Sequence, residues 1–129
     1  MKIKVIDKDD YILITEWWKH YDWEPVHPYL LSNNGYIISD EDKNIVAGWY
    51  VKTNTQTALI EWIVKNPKTK PKKFIKGLSL LCKTIEEQAK QDGYKMIITF
   101  LKNDKLKKFM KRRKYESGDT GINNFLKAL

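Results

Sequence analysis

The sequence predicts one α/β domain, a mixed β-sheet flanked by helices in the order β-α-β-β-β-α-β-α-β. Three observations carry that reading. Apolar residues recur at helical spacing in two stretches, residues 11–21 and 72–92, while the segments between them alternate as strands do. The apolar run 96–101 is bounded by turns, the mark of a strand buried on both faces. The 129 residues, 42% hydrophobic and 31% charged, suit one packed core of the usual size of about 100–150 residues, so residues 1–129 read as a single domain.

Residues 2–7 alternate around Ile3 and Val5 and form the first strand. Asp9 and Asp10 stand where a helix N-cap belongs, and Leu13, Ile14, Trp17, Trp18 and Tyr21 make the following helix amphipathic. Residues 23–34 hold Pro25 and Pro28 and are irregular. Residues 36–39 and 45–53 are strands joined as a hairpin across residues 40–44, and residues 54–56 lead tightly into a strand at 57–65. After a loop between Pro67 and Pro71 comes the long helix, with Phe74, Ile75, Leu78, Leu81, Cys82, Ile85 and Ala89 on one face. Gly93 ends it, because a helix commonly closes through a residue in the left-handed conformation. Asn103 caps a short helix with Leu106, Phe109 and Met110 inward. Residues 118–129 read as a closing strand around Ile122, Phe125 and Leu126.

The charge is unevenly placed. Residues 1–64 hold six lysines against ten acids; residues 65–114 hold fifteen lysines and two arginines against four acids. The second half therefore presents a basic surface that suits a phosphate-bearing partner, either a nucleotide cofactor or a nucleic acid. Lysine outnumbers arginine 22 to 2 amid many Ile and Asn, which an AT-rich coding sequence also produces. The run 102–114 is the densest basic segment, but its aromatics fall on the inward face and no nucleic-acid motif accompanies it. Nucleic acid is the less favoured partner. No run approaches the roughly 18 apolar residues of a membrane span, and no signal-peptide core opens the chain, so a cytoplasmic protein without membrane association is expected. One cysteine, Cys82, excludes an internal disulfide, and with two histidines no metal site is expected.

Several local words, in the right order, resemble the GNAT family of N-acetyltransferases. Glu61-Trp62-Ile63-Val64-Lys65-Asn66-Pro67 is similar to the family's fourth strand and its exit. Ala89-Lys90-Gln91-Asp92-Gly93-Tyr94-Lys95 resembles the close of the cofactor-binding helix. Asn103, followed by Phe109-Met110 and Lys114-Tyr115, resembles the family's last conserved segment. The paired tryptophans and Ala47-Gly48-Trp49 look closest to small GNAT-like proteins of bacteriophages, which would place the protein in a host cytoplasm. The resemblance implies a GNAT-like sheet, acetyl-CoA as co-substrate and an amine acceptor, either a small molecule or a protein.

It also implies a site. Strands four and five would splay and admit the pantetheine arm, with backbone groups at Ile63 and Val64 pairing to it as a strand would. The segment Lys72, Lys73, Lys76, Gly77 and Leu78 would hold the pyrophosphate at the start of the long helix, and Asn103 would orient the cofactor. Two departures stand out. The first glycine of the family's phosphate loop is Ile75 here, and the tyrosine that protonates the leaving thiolate is replaced by Met110, with Tyr115 nearby.

Glu61 is the catalytic candidate on physical grounds as well. Strand parity puts it on one face with Leu59 and Ile63, with Ala58, Ile60, Trp62 and Val64 on the other. An acid between apolar neighbours is costly unless it faces a cleft or a partner, and burial raises its pKa toward that of a useful base. The alternatives are a solvated edge acid or a salt bridge. His20 and His27 read as helix-end and loop residues. The reading is an acetyl-CoA-dependent N-acetyltransferase; the alternative is a catalytically eroded scaffold that acts by binding protein or nucleic acid.

Overall fold

The computed structural model describes residues 1–129. Five strands, β1 (Lys2–Val5), β2 (Gly35–Asp40), β3 (Lys43–Val51), β4 (Thr57–Lys65) and β5 (Met96–Thr99), form one sheet in sequential order. Pairs β1–β2, β2–β3 and β3–β4 are antiparallel. The two-residue turn between β2 and β3, Glu41-Asp42, has φ of 50° and 62°, the primed geometry whose twist matches a hairpin. β4 and β5 are parallel, because a whole helix, α2 (Pro71–Gln91), separates them and returns the chain to the same end of the sheet.

The cap of α1 (Lys8–His20) differs from the sequence expectation: Asp7 is the N-cap, in a reciprocal capping box with Asp10. Asp10 Oδ2 also meets Lys4 Nζ at 3.0 Å, so β1 and α1 are tied at their junction. On α2 the apolar face holds except at Ile75, which is exposed near the helix start; Leu78, Leu81, Cys82 and Ile85 are fully buried, and Gly93 (φ +89°) follows the helix end. Asn103 caps α3 (Asp104–Arg112), accepting from the N–H groups of Lys105 and Leu106 at 2.9 and 3.1 Å.

The sheet separates two cores. One packs α2, Phe109 and Met110 against Ile38, Val46, Tyr50, Ala58, Ile60 and Ile63. The other packs Ile14, Trp17 and Trp18 of α1 against Ile37, Ala47, Trp49 and Val64. Arg113 and the Tyr115 hydroxyl both donate to the Glu86 carboxylate, fastening the end of α3 to α2.

Two expectations are corrected at the end of the chain. No sixth strand forms: residues 116–129 have no regular structure, and no hydrogen bond engages them. Ile122, Phe125, Leu126 and Leu129 repeat every three to four residues, so no period of two gathers them on one face of a strand. Consequently β5 is the sheet's edge rather than a strand buried on both faces. Ile97 packs on the α2 core, whereas Met96 and Ile98 are 64% and 41% exposed.

Candidate functional site

The β4–β5 ladder runs from Thr57↔Met96 to Ile60↔Thr99 and stops there. β4 continues for five more residues, so residues 61–65 face the β5 side with no strand partner. At this point β4 also bulges. Glu61 pairs with Trp49 and Val64 with Ala47, leaving Trp62 and Ile63 opposite Gly48 alone. Trp62 takes φ of +59°, a conformation that a bulky side chain rarely adopts and that tends to persist at functional sites. Gly48 is required opposite the bulge: a Cβ there would lie 2.9 Å from Leu81 Cδ2.

The bulge overturns the strand parity expected from sequence. Ile63 joins Ala58 and Ile60 in the α2-side core, and Val64 lies in the α1-side core. Glu61 keeps its expected partner Leu59 on one face, but not Ile63. A glycine inside a strand pattern, Gly48, was the one sequence signal of the irregularity.

Glu61 sits where the two strands part. Directly paired residues share a face, so its side chain lies on the side of Trp49, whose indole stacks on Trp18 at 5.8 Å. The carboxylate is half-buried, and neither a hydrogen bond nor an ion pair engages it. Burial alone pushes its pKa above the ordinary glutamate value. A half-desolvated, unpartnered carboxylate at a strand junction is equipped to take a proton from an incoming ammonium.

The lysines expected around the phosphates divide. Lys68, Lys70, Lys72 and Lys76 are exposed. Lys70 is the N-cap of α2 without a side-chain cap, Pro71 has no N–H, and the first N–H bonded back into the helix is that of Phe74. The N–H groups of Lys72 and Lys73 therefore remain free at the positive end of a long helix, which favours an anion. Lys73 is committed elsewhere, its Nζ 3.0 Å from Asp40 and 3.4 Å from Glu41 at the β2–β3 turn. Each charge stabilises the other: the Lys73 pKa is raised and the Asp40 pKa lowered.

Gly77 and Leu78 do not lie in a phosphate loop. Both are buried one turn inside α2 against the sheet; a Cβ on Gly77 would lie 2.9 Å from Ile45 Cγ2 and 3.3 Å from Val46 Cγ1. Gly77 is small because the helix approaches the sheet closely there. Asn103 lies four residues beyond the end of β5, with its side-chain oxygen used as the α3 cap and its amide nitrogen without a protein partner.

The Tyr115 hydroxyl does not stand in for the missing acid. Met110 is buried in the α2-side core. The Tyr115 hydroxyl donates to Glu86 at 2.8 Å on that same side, across the sheet from Glu61, and burial with this bond pushes its pKa up. His20 and His27 play packing roles: His20 lies edge-on to Tyr21, and His27 Nδ1 accepts from the Tyr29 N–H at 3.1 Å.

Sequence comparison finds no matching family model and no matching curated protein. Structural comparison is decisive for the fold. An acetyltransferase from Trypanosoma brucei superposes with a TM-score of 0.70 over 97% of this chain and 99% of its own, at 14% identity. Glucosamine-6-phosphate N-acetyltransferase from Arabidopsis thaliana matches over 98% of both chains at 13% identity, TM-score 0.66. A Mycobacterium tuberculosis protein in complex with CoA matches 95% of this chain and 76% of its own at 12% identity, TM-score 0.72. The architecture of this chain, a mixed sheet with a β4–β5 divergence and α2 as the crossover, is the GNAT fold.

Proposed function

We propose that this protein transfers an acetyl group from acetyl-CoA to an amine. The observation that carries the reading is the departure of β4 from β5 after Ile60, with the unpartnered Glu61 carboxylate at the junction. The free β4 edge at Ile63 and Val64 offers main-chain groups to an amide-bearing arm, as a neighbouring strand would. The exposed Lys72 and Lys76, with the free N–H groups of the first α2 turn, offer a counter-charge for the pyrophosphate. Asn103, at the β5–α3 junction, has an amide N–H pair left to donate.

Glu61 accepts a proton from the ammonium, directly or through one water. The freed amine lone pair attacks the thioester carbonyl carbon, and the C–S bond breaks as the amide forms. The thiolate then leaves and takes up, through solvent, the proton that the nitrogen gives up as the amide forms; the tyrosines on this side of the sheet, Tyr11 and Tyr21, donate their hydroxyls to the carbonyls of Val26 and Lys65. A positioned base supplies about 10²–10⁴-fold, so most of the acceleration comes from holding the two reactants together. The Trp49 indole beside Glu61 suits an acceptor that carries apolar or cationic character next to its amine.

Titration calorimetry with acetyl-CoA, followed by turnover of an amine panel, tests the proposal. Binding is expected in the parent and in Glu61→Gln, with transfer at least about a hundred-fold slower in the variant. No cofactor binding would instead support an eroded binding scaffold, the reading favoured by the buried Gly77 and by Ile75 in place of a loop glycine. Equal turnover in Glu61→Gln would remove that residue from the chemistry.

A further inference from the structure

The β4 bulge brings two consecutive side chains to one face of the sheet. In an unbroken strand Glu61 and Trp62 would point to opposite faces. With Trp62 and Ile63 both opposite Gly48, Trp62 packs instead against the α1-side core, the side of Trp49 on which Glu61 also lies. Trp62 is held there at φ +59°, strain of the kind that clusters at functional sites. Its ring is only part-buried, yet its Nε1 is covered and no hydrogen-bond acceptor engages it. A buried donor left unpaired is rare and costly, and in a native protein it calls for a reason. The neighbouring Glu61 carboxylate is an unpaired acceptor, but the two do not bond to each other. Each is therefore free for a third group.

We propose that the Trp62 indole N–H is a further catalytic group, the donor that holds the acetyl carbonyl oxygen of acetyl-CoA during transfer. This role rests on acetyl transfer being the activity. A pyrophosphate at the first turn of α2 anchors the arm just beyond Lys65, the last residue of β4. From there the unpaired edge of β4 leads back through four residues, roughly 13 Å, to Glu61. The thioester end of the arm, and not its amides, thus comes to Glu61 and Trp62. The two side chains meet opposite needs of one reaction. Glu61 takes the proton of the attacking ammonium. As nitrogen adds, the carbonyl electron pair moves onto oxygen, and the Trp62 N–H donates to that charge without giving up its proton. Cleavage of the C–S bond returns the pair to the new amide carbonyl. In a water-excluded site such a donor acts far more strongly than in water, and losing one costs about 10²–10³-fold in kcat.

The indole N–H resonances of the isotope-labelled parent, assigned sequentially by NMR, read this bond directly. Acetyl-CoA is compared with S-ethyl-CoA, a thioether of the same length without the carbonyl oxygen. Acetyl-CoA is expected to move the Trp62 indole proton downfield, and S-ethyl-CoA to leave it near its free position. Trp62→Phe keeps an aromatic ring and loses the donor; it is expected to transfer acetyl about 10²–10³-fold more slowly with little change in KM. Equal shifts with both ligands overturn the proposal, as does parent-like kcat in Trp62→Phe. Bound acetyl-CoA without a Trp62 response removes this role alone, whereas no binding of either ligand removes the acetyltransferase reading with it.

Discussion

Gly35→Ala tests the packing that positions Glu61. Gly35 opens β2 opposite Trp49, and the indole lies directly over the glycine. A Cβ added there would sit 2.8 Å from Cδ1 and from Cε2 of that ring, and closer still to Nε1. The ring has no room to yield, since Trp49 is 2% exposed and stacked on Trp18, itself 1% exposed. Overpacking of this kind costs about 1–3 kcal/mol. Against it stands the gain from replacing glycine within a strand, roughly 0.5–1 kcal/mol. So short an approach puts the overpacking cost in the upper half of its range, about 2–3 kcal/mol. The net loss is therefore about 1–2.5 kcal/mol, and for a chain of this length each kcal/mol moves Tm by roughly 3–5 °C. Thermal unfolding followed by circular dichroism should show Tm lower by about 3–12 °C. Acetyl transfer should fall with it, because a displaced indole moves the wall beside Glu61. Gly118→Ala is the control: a Cβ there meets nothing within 4 Å, and Tm should not move. A Gly35→Ala variant that melts with the parent would refute the tight Gly35–Trp49 contact and the rigid wall derived from it.

Other perturbations probe the electrostatics. Burial raises the Glu61 pKa, so its ionisation opposes folding as pH rises from the unfolded value of about 4.3 through the folded one. Glu61→Gln should therefore be more resistant to urea than the parent near neutral pH, and equal to it below about pH 4, in paired denaturation curves. The same raised pKa should place the acid limb of the pH–rate profile above the ordinary glutamate value. Lys72→Ala with Lys76→Ala should weaken acetyl-CoA binding about ten-fold by calorimetry with Tm unchanged. Lys73→Ala, whose partners are Asp40 and Glu41, should leave that affinity alone. Cys82 should resist iodoacetamide in the native protein and react fully in denaturant, as mass spectrometry would report.

Much of the molecule is legible in short-range pattern. The apolar stripe of α2, its stop at Gly93, the Asn103 cap and the hairpin turn depend on neighbours within one or two turns, and all appear where the pattern puts them. Glu61 is legible for the same reason: an acid amid strand apolars is conspicuous wherever the strand lies. The β4 bulge is not, because one extra residue at Trp62 costs nothing recognisable in sequence yet reverses every later side chain. Only Gly48 across the ladder hinted at it. The roles of Lys73 and Gly77 were equally hidden. A lysine reads the same whether it faces phosphate or Asp40 from another turn, and a glycine reads the same beside a ligand or beneath Ile45.

Composition, periodicity and turn chemistry by themselves determined the α/β class, the order of the elements through α3 and the placement of Glu61 on a strand. Those properties follow from local backbone preference and from which face is apolar, and they survive without knowledge of any distant contact. Tertiary structure alone decided where β4 leaves β5, which residues share Glu61's face, which lysines remain uncommitted and whether residues 118–129 become a strand. Each of these depends on a partner far away in the chain. For residues 118–129 no hydrogen bond joins the segment to the open β5 edge, so it stays outside the sheet whatever its own apolar content.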